Sequence, residues 1–146
     1  MESDLTIPRR KRKPKPFKLT PPKAYVPKEY DEQVHVFEWA LYGAGKDLDG
    51  IDLMYATLNG VRLPIGLARK MKRAGLCAGP PDINIDIARQ GFHGFRGEMK
   101  REKGGTLSEG QEAWHIRLHE EGYYVCVARG AKAMIAEIKW YLDERL

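Results

Sequence analysis

The sequence predicts an α/β fold in which a mixed sheet is flanked by helices. Several short segments alternate apolar and polar residues with the period of a strand, and four longer segments repeat apolar residues with the period of a helix. In chain order the elements are helix, strand, short basic helix, strand, strand, helix, strand and helix. A chain of 146 residues is long enough for one domain with its own core, which we place at residues 29–146.

The first two elements are a helix and a short strand. The helix is predicted over residues 29–42, with an apolar stripe of Val34, Phe37 and Leu41 that Val36 and Ala40 widen. A loop rich in glycine and aspartate follows it. Residues 54–58 then form a short strand that ends at Asn59-Gly60, a dipeptide typical of turns.

The third element is a short basic helix over residues 67–76, which Gly75 is suited to end. Leu67, Met71 and Ala74 share one face of this helix. The rest of its surface carries the cations Arg69, Lys70, Lys72 and Arg73. This helix directly precedes residues 79–100, for which a metal site is derived below, and clustered cations beside such a site favour phosphate contact, which we assign to Lys70 and Arg73.

Residues 79–100 predict two adjacent strands whose polar side chains converge. Isoleucines recur at every second position of the first strand, so Asp82 lies on the opposite, polar face. A turn near Gly91 returns the chain as a second strand, in which Glu98 and Lys100 share one face. The start of the first strand then lies beside the end of the second. Asp82, Glu98 and Lys100 are therefore predicted to meet on one face of the sheet.

Two carboxylates and one ammonium at one place indicate a metal site that receives an anion. Magnesium is usually held by one or two carboxylates together with waters and phosphate oxygens of a substrate. Such a metal also lowers the pKa of a bound water, which then becomes a nucleophile near neutral pH. We expect Mg²⁺ or Mn²⁺ at Asp82 and Glu98, with the backbone carbonyl of Met99 as a further ligand. Lys100 is expected to orient the attacking water or to stabilise charge on the phosphate.

The remaining segments complete the predicted domain. Residues 108–121 form a helix opened by a capping box between Ser108 and Gln111. Its predicted inner stripe comprises Trp114 and Leu118. Residues 123–128 are apolar and β-branched enough for a buried strand, and residues 131–142 form a final amphipathic helix.

Four histidines suggest a rival metal site. His115 and His119 stand one turn apart on one helix, a spacing that can bind zinc. No third ligand accompanies them in the sequence. We therefore interpret both as surface residues.

Several spaced motifs carry a family resemblance. Pro81-Asp82 followed by Glu98-Met99-Lys100 is similar to the signature of the PD-(D/E)xK nucleases. Other shared features are Ala78-Gly79-Pro80-Pro81-Asp82, Gly94-Phe95-Arg96-Gly97-Glu98, Gly105-Thr106-Leu107-Ser108 with Gln111, Gly122-Tyr123 and Tyr141-Leu142. Together these motifs resemble the VRR-NUC (virus-type replication-repair nuclease) branch. The resemblance covers nearly all of residues 29–146 and implies a restriction-endonuclease-like fold.

The resemblance also implies further site residues. In such domains a glutamate on the first helix reaches the metal, and Glu29 fits this position better than Glu32. A glutamine lies near the catalytic face, which is the position of Gln111 here. A family motif next to the second element is matched in part, and it supplies the DNA-contact candidates Asn59 and Arg62. The basic loop after the second site strand adds Lys103 as a candidate for the same contact.

By the same resemblance, the chain is expected to be a metal-dependent, structure-directed DNA endonuclease in replication, repair or recombination. Free-standing relatives come from phage and bacteria and tend to form homodimers, and a symmetric pair suits a Holliday-junction resolvase. Nicking of flaps or splayed ends is the alternative within this class. A non-catalytic DNA-binding module and a protein-interaction domain are the alternatives outside it. No motif indicates a small-molecule cofactor.

Residues 1–28 differ in composition from the rest of the chain. They hold nine Lys or Arg and two acids, a net charge of +7, which leaves −2 for the remainder of a chain at +5. Six of the nine prolines also lie there. We expect a disordered basic arm that attracts phosphate without reading sequence, although a nuclear-import signal has the same composition.

The rest of the composition bears on the cellular compartment. No apolar run approaches the ~18 residues of a membrane span, and the N-terminus has no apolar signal-peptide core. The two cysteines, Cys77 and Cys126, show no spacing typical of a zinc site or a disulfide framework. We expect a cytoplasmic protein without membrane contact.

Overall fold

The sheet consists of a three-stranded antiparallel meander extended by one parallel strand. The computed structural model describes residues 28–59 and 62–143. Its strands are β1 (Met54–Ala56), β2 (Ile83–Ile85), β3 (Phe95–Lys100) and β4 (Tyr124–Arg129), and they lie in this order across the sheet. β2 pairs antiparallel with β1 and with β3, whereas β4 runs parallel to β3. The basic arm predicted for residues 1–28 lies outside the described residues except for Lys28.

Four α-helices flank this sheet, as the sequence predicts, and the fold class is confirmed. They are α1 (Glu29–Leu41), α2 (Ile65–Arg73), α3 (Glu109–Glu120) and α4 (Ala131–Leu142). α1 and α4 pack together against one face of the sheet, and α3 packs on β4 with side chains that reach the other face. No helix of the described ranges is long and apolar enough to cross a lipid bilayer.

A two-residue turn joins the strands that carry the predicted site. Gln90 and Gly91 both have positive φ, 54° and 79°, and paired hydrogen bonds between Arg89 and Phe92 close the turn. Positive φ at both central residues matches the twist of an antiparallel hairpin. The register places Ile83 opposite Gly97, and it brings Asp82 beside the second half of β3.

The core lies between the apolar face of the sheet and the two helices α1 and α4. Its main buried side chains are Ile83, Ile85, Phe95 and Met99 from the sheet, Val36 and Ala40 from α1, and Met134, Ile138, Tyr141 and Leu142 from α4. Each large apolar side chain buried here contributes about 1.5–3 kcal/mol. The Tyr141 hydroxyl also donates to the carbonyl of Ile87 at 2.7 Å, which ties α4 to the end of the β2 segment.

The buried face of α1 differs from the predicted stripe. Val34 and Leu41 are exposed, so their assignment to the core is wrong, and Phe37 is only partly buried. Val36 and Ala40, at the edge of the predicted stripe, are buried in the core. The carboxylate of Glu32 explains why a different side of α1 faces the core. Glu32 is buried and accepts a hydrogen bond from the backbone N–H of Ala131 at 2.7 Å. It thereby satisfies a free donor and complements the positive end of the α4 dipole.

Two other elements bury few of their residues. α2 has no buried residue, so its apolar face of Leu67, Met71 and Ala74 is not part of the core. β4 is an edge strand of the described sheet with only Ala128 buried, rather than a fully buried strand. Cys126 packs against the core from this strand, and burial raises the pKa of its thiol.

Candidate metal-binding active site

The carboxylate of Asp82 bridges the start of β2 and the end of β3. Its Oδ2 accepts a hydrogen bond from the backbone N–H of Met99 at 2.9 Å. Its Oδ1 accepts from Nδ2 of Asn59 at 3.2 Å. Asp82 is only 6 % exposed, so these two donors fix the carboxylate in a largely dry setting.

Burial raises the pKa of Asp82 from 3.8 to about 6. The neighbouring charge of Glu98 adds to the rise and Glu29 makes a smaller contribution, while the hydrogen bonds from Met99 and Asn59 act in the opposite direction. Two carboxylates that oppose each other's ionisation are stabilised when a cation lies between them. The electrostatics of this pair therefore favour a bound divalent metal.

Glu98 is fully buried at the centre of a hydrogen-bonded cluster. Its Oε1 accepts from Nζ of Lys100 at 2.8 Å and from Nε2 of Gln111. The Gln111 carbonyl accepts in turn from the backbone N–H of Ser108 at 3.0 Å and from Lys100 at 3.4 Å. Gln111 thus completes the predicted capping box and contacts the site at the same time.

The second oxygen of Glu98 has no hydrogen-bond partner, although it is buried. Leaving such an oxygen without a partner costs free energy, about 1–3 kcal/mol or more for a charged group. A hard divalent cation takes carboxylate oxygen as its preferred ligand. The unused lone pairs of Glu98 Oε2 therefore fit a metal ligand.

The Met99 carbonyl and a carboxylate of the first helix were also predicted as metal ligands. In an extended strand the N–H and C=O of one residue point to the same edge, so the Met99 carbonyl faces the edge that Asp82 occupies. The charge of Glu29 contributes to the raised pKa of Asp82, whereas the Glu32 carboxylate is bonded to the backbone of Ala131, so Glu29 stays the predicted first-helix carboxylate. In residues 28–59 and 62–143 no group of three or more His, Cys, Asp or Glu side chains is placed so that it could hold a metal ion. Two carboxylates completed by waters and phosphate suit magnesium.

Comparison with known proteins identifies the family. Neither a protein-family model nor a curated protein matches the sequence. This chain is similar to a solved structure described as a VRR_NUC domain protein, with 32 % sequence identity and a TM-score of 0.64. The match spans 78 % of this chain and 87 % of the solved chain. The chain belongs to the VRR-NUC family. The resemblance carried by the sequence motifs is thereby confirmed.

The predicted DNA-contact residues of this VRR-NUC domain differ in solvent exposure and in the hydrogen bonds that their side chains make. Arg62, Lys70, Arg73 and Lys103 are all exposed. Asn59 is half-buried, and its amide nitrogen donates to Asp82, to the Pro80 carbonyl and to the Thr57 hydroxyl. Asn59 therefore holds Asp82 in place, and its contact with DNA stays a prediction.

One residue near the VRR-NUC site was missed in the sequence. His115 is 9 % exposed, so its interpretation as a surface histidine is wrong, while His119 is exposed as expected. The predicted inner residue Trp114 is partly exposed instead. Residues four apart share a helix face. The placement of Gln111 at the site was thus the signal that His115 lies there too.

Gly79 allows the segment before Asp82 to lie against α3. Its φ is +111°, and a Cβ there would stand 2.7 Å from Nε1 of Trp114 and 3.1 Å from the carbonyl of Gly110. A glycine is required on both counts, because the backbone is left-handed and no side chain fits. This contact fixes the position from which Asp82 enters the VRR-NUC site.

Gly79→Ala is expected to destabilise the domain by about 2–4 kcal/mol, since backbone strain and overpacking each cost about 1–3 kcal/mol. Gly75→Ala is the matched control. Gly75 has a φ of +103°, but a Cβ added there would meet nothing within 4 Å, so only the strain is expected. Urea denaturation measures both variants. Equal losses would show that packing against Trp114 does not matter.

Proposed function

We propose that this VRR-NUC domain is a metal-dependent DNA endonuclease that cuts branched DNA, with the four-way junction as its preferred substrate. The observation that carries the proposal is the convergence of Asp82, Glu98 and Lys100. All three are buried, they come from neighbouring strands, and Lys100 is hydrogen-bonded to Glu98 while Asp82 is bonded to the intervening Met99. Two carboxylates that can hold a divalent metal, beside an ammonium, suit metal-assisted hydrolysis of a phosphodiester.

In this proposal Mg²⁺ or Mn²⁺ supplies positive charge for the phosphate and lowers the pKa of an attacking water. Asp82, Glu98 and the Met99 carbonyl are the residues that hold it, with Glu29 as an outer carboxylate. The Lys100 ammonium has three N–H donors. Glu98 takes one and Gln111 takes a longer second one, so one donor remains to orient water or phosphate.

Exposed cations support a DNA substrate for the same site. α2 carries Arg69, Lys70, Lys72 and Arg73 and buries none of its residues, so all four charges are open to phosphate. Arg62 and Lys103 are exposed as well, and the arm of residues 1–28 adds a net charge of +7. Contacts of this kind position a backbone but read no sequence. We infer recognition by DNA shape.

A homodimer is part of the proposal. Apolar side chains lie on the outer side of α1, where no described element covers them: Tyr30, Val34, Leu41 and Tyr42. An apolar patch on a charged domain favours association. Two copies related by a two-fold axis would present two equivalent sites, which matches the symmetry of a four-way junction.

The test is cleavage of labelled four-way junction, flap and plain duplex DNA in Mg²⁺, Mn²⁺ or EDTA. We expect junction cleavage in either metal and none in EDTA. Asp82→Ala removes a metal ligand and should lose at least ~10²–10³-fold in rate. Asp52→Ala, at an exposed aspartate before β1, is the control and should cleave like the wild type.

Other outcomes would contradict parts of the proposal. Salt-dependent binding without cleavage in any metal would leave a non-catalytic DNA-binding module. Faster cutting of flaps than of junctions would replace the junction as substrate but keep the nuclease. An absence of salt-dependent affinity for any DNA would favour a protein-interaction domain.

A further inference from the structure

We propose that His115 is a positioning residue for the metal ligand Glu98. In this role its Nε2–H donates to Oε2 of Glu98 and fixes the plane of the carboxylate. The inference rests on the proposed metal site and adds a residue to it. His115 acts through Glu98 and does not itself touch the metal or the DNA.

The placement of His115 on α3 is the first support. It lies one helical turn after Gln111, and both side chains reach the same carboxylate. Gln111 and Lys100 occupy Oε1 of Glu98. Nε2 of His115 lies 3.8 Å from Oε2. The three side chains therefore surround Glu98 with potential donors on both of its oxygens.

The second support is a pair of unpartnered atoms. Glu98 Oε2 and His115 Nε2 are both buried, and neither has a hydrogen-bond partner. A buried imidazole nitrogen without a partner costs about 1–3 kcal/mol. A leucine at the same helix position would avoid that cost, so packing alone is a poor explanation for a histidine. Its nearest acid is the carboxylate at the centre of the site.

The distance between the two atoms is short enough for small movements to close it. It is about 0.9 Å longer than a typical N–H···O hydrogen bond of about 2.9 Å. Hydrogen bonds in active sites often tighten when the reacting complex forms. A carboxylate offers about four lone-pair sites. Lys100 and Gln111 use the two lone pairs of Oε1, and His115 would use one lone pair of Oε2. The second lone pair of Oε2 then stays available for the metal.

A donor in this position raises metal affinity by pre-orienting the ligand. Removal of such supporting hydrogen bonds typically lowers metal affinity about 10- to 100-fold. His119 provides a control on the same helix. It borders the same groove between α3 and β4 as His115, but its side chain is exposed.

The experiment is a titration of metal-free protein with Mn²⁺ at pH 8, with free Mn²⁺ measured by its electron paramagnetic resonance signal. His115→Leu is expected to bind Mn²⁺ about 10- to 100-fold more weakly than the wild type. His115→Gln keeps an amide donor and should stay within a few-fold, and His119→Leu should equal the wild type. In a Glu98→Gln background, His115→Leu should change nothing further, because its effect passes through Glu98.

Each contrary result has a distinct meaning. No Mn²⁺ binding by the wild type would remove the proposed metal site, and the inference with it. Equal affinity of wild type and His115→Leu would overturn the inference and leave the metal site standing. Nitrogen-14 spin-echo modulation that is lost in His115→Leu would overturn it in favour of direct coordination. If His115→Leu does not fold by circular dichroism, His115→Met takes its place.

Discussion

Glu98→Gln is expected to lower the stability of the domain by about 3 kcal/mol and to abolish metal-dependent cleavage. The amide oxygen can still accept from Lys100 and Gln111, so the hydrogen bonds survive and the loss is one of charge. Lys100 is only 6 % exposed. Removing one partner of a buried ion pair typically costs about 3–5 kcal/mol. Loss of the Glu98 charge also relieves its repulsion with Asp82, so the expected loss of stability is at the lower end of that range.

Urea denaturation in EDTA and cleavage assays measure the two effects separately. Glu98→Gln/Lys100→Met is the matched control, since it removes both charges at similar volume. We expect this double variant to recover most of the lost stability but none of the cleavage, because a buried pair can often be replaced without net loss. Unchanged stability of Glu98→Gln would show that Lys100 does not depend on the Glu98 charge.

Asp82→Asn is expected to gain stability relative to the wild type as the pH rises, in the absence of metal. The folded protein holds the Asp82 proton more tightly than the unfolded chain does, since burial raises the pKa from 3.8 to about 6. The wild type therefore loses stability through this pH range, whereas the amide does not titrate. A shift of about two units corresponds to at most about 3 kcal/mol.

The measurement is urea denaturation of both proteins in EDTA at roughly pH 4 and at roughly pH 8, on either side of the expected titration. Addition of Mn²⁺ at the higher pH should restore stability to the wild type, by about 2.7 kcal/mol at a hundred times the dissociation constant. The same addition of Mn²⁺ should leave the stability of Asp82→Asn unchanged. Parallel pH profiles of the two proteins would show that Asp82 is not perturbed by burial.

The site residues on the hairpin were predictable because their contacts are local. Alternation of isoleucines fixes which face Asp82 occupies, and a two-residue turn fixes its register with Glu98. Both signals lie within twenty residues of sequence. Likewise, the capping box that orients Gln111 is formed by residues three apart.

The missed features depend on distant parts of the chain. Glu32 lies on the buried side of α1 because it accepts a hydrogen bond at the N-terminus of α4, and the two residues of that bond are 99 positions apart in the sequence. Hydrophobic periodicity cannot anticipate a buried carboxylate. The burial of His115 likewise depends on Glu98, and the exposure of β4 depends on its place at the edge of the sheet. Apolar composition predicts a strand but not its position among its neighbours.

The place of α4 in the chain links site assembly to protein synthesis. The predicted catalytic side chains all lie between Glu29 and Gln111, whereas α4 contributes Met134, Ile138, Tyr141 and Leu142 to the core. A ribosome therefore finishes the catalytic residues before it makes the helix that covers the sheet. Until α4 is made, α1 is the one described helix available to cover the apolar face of the sheet. The hydrophobic core is therefore complete only after residue 142 has been translated.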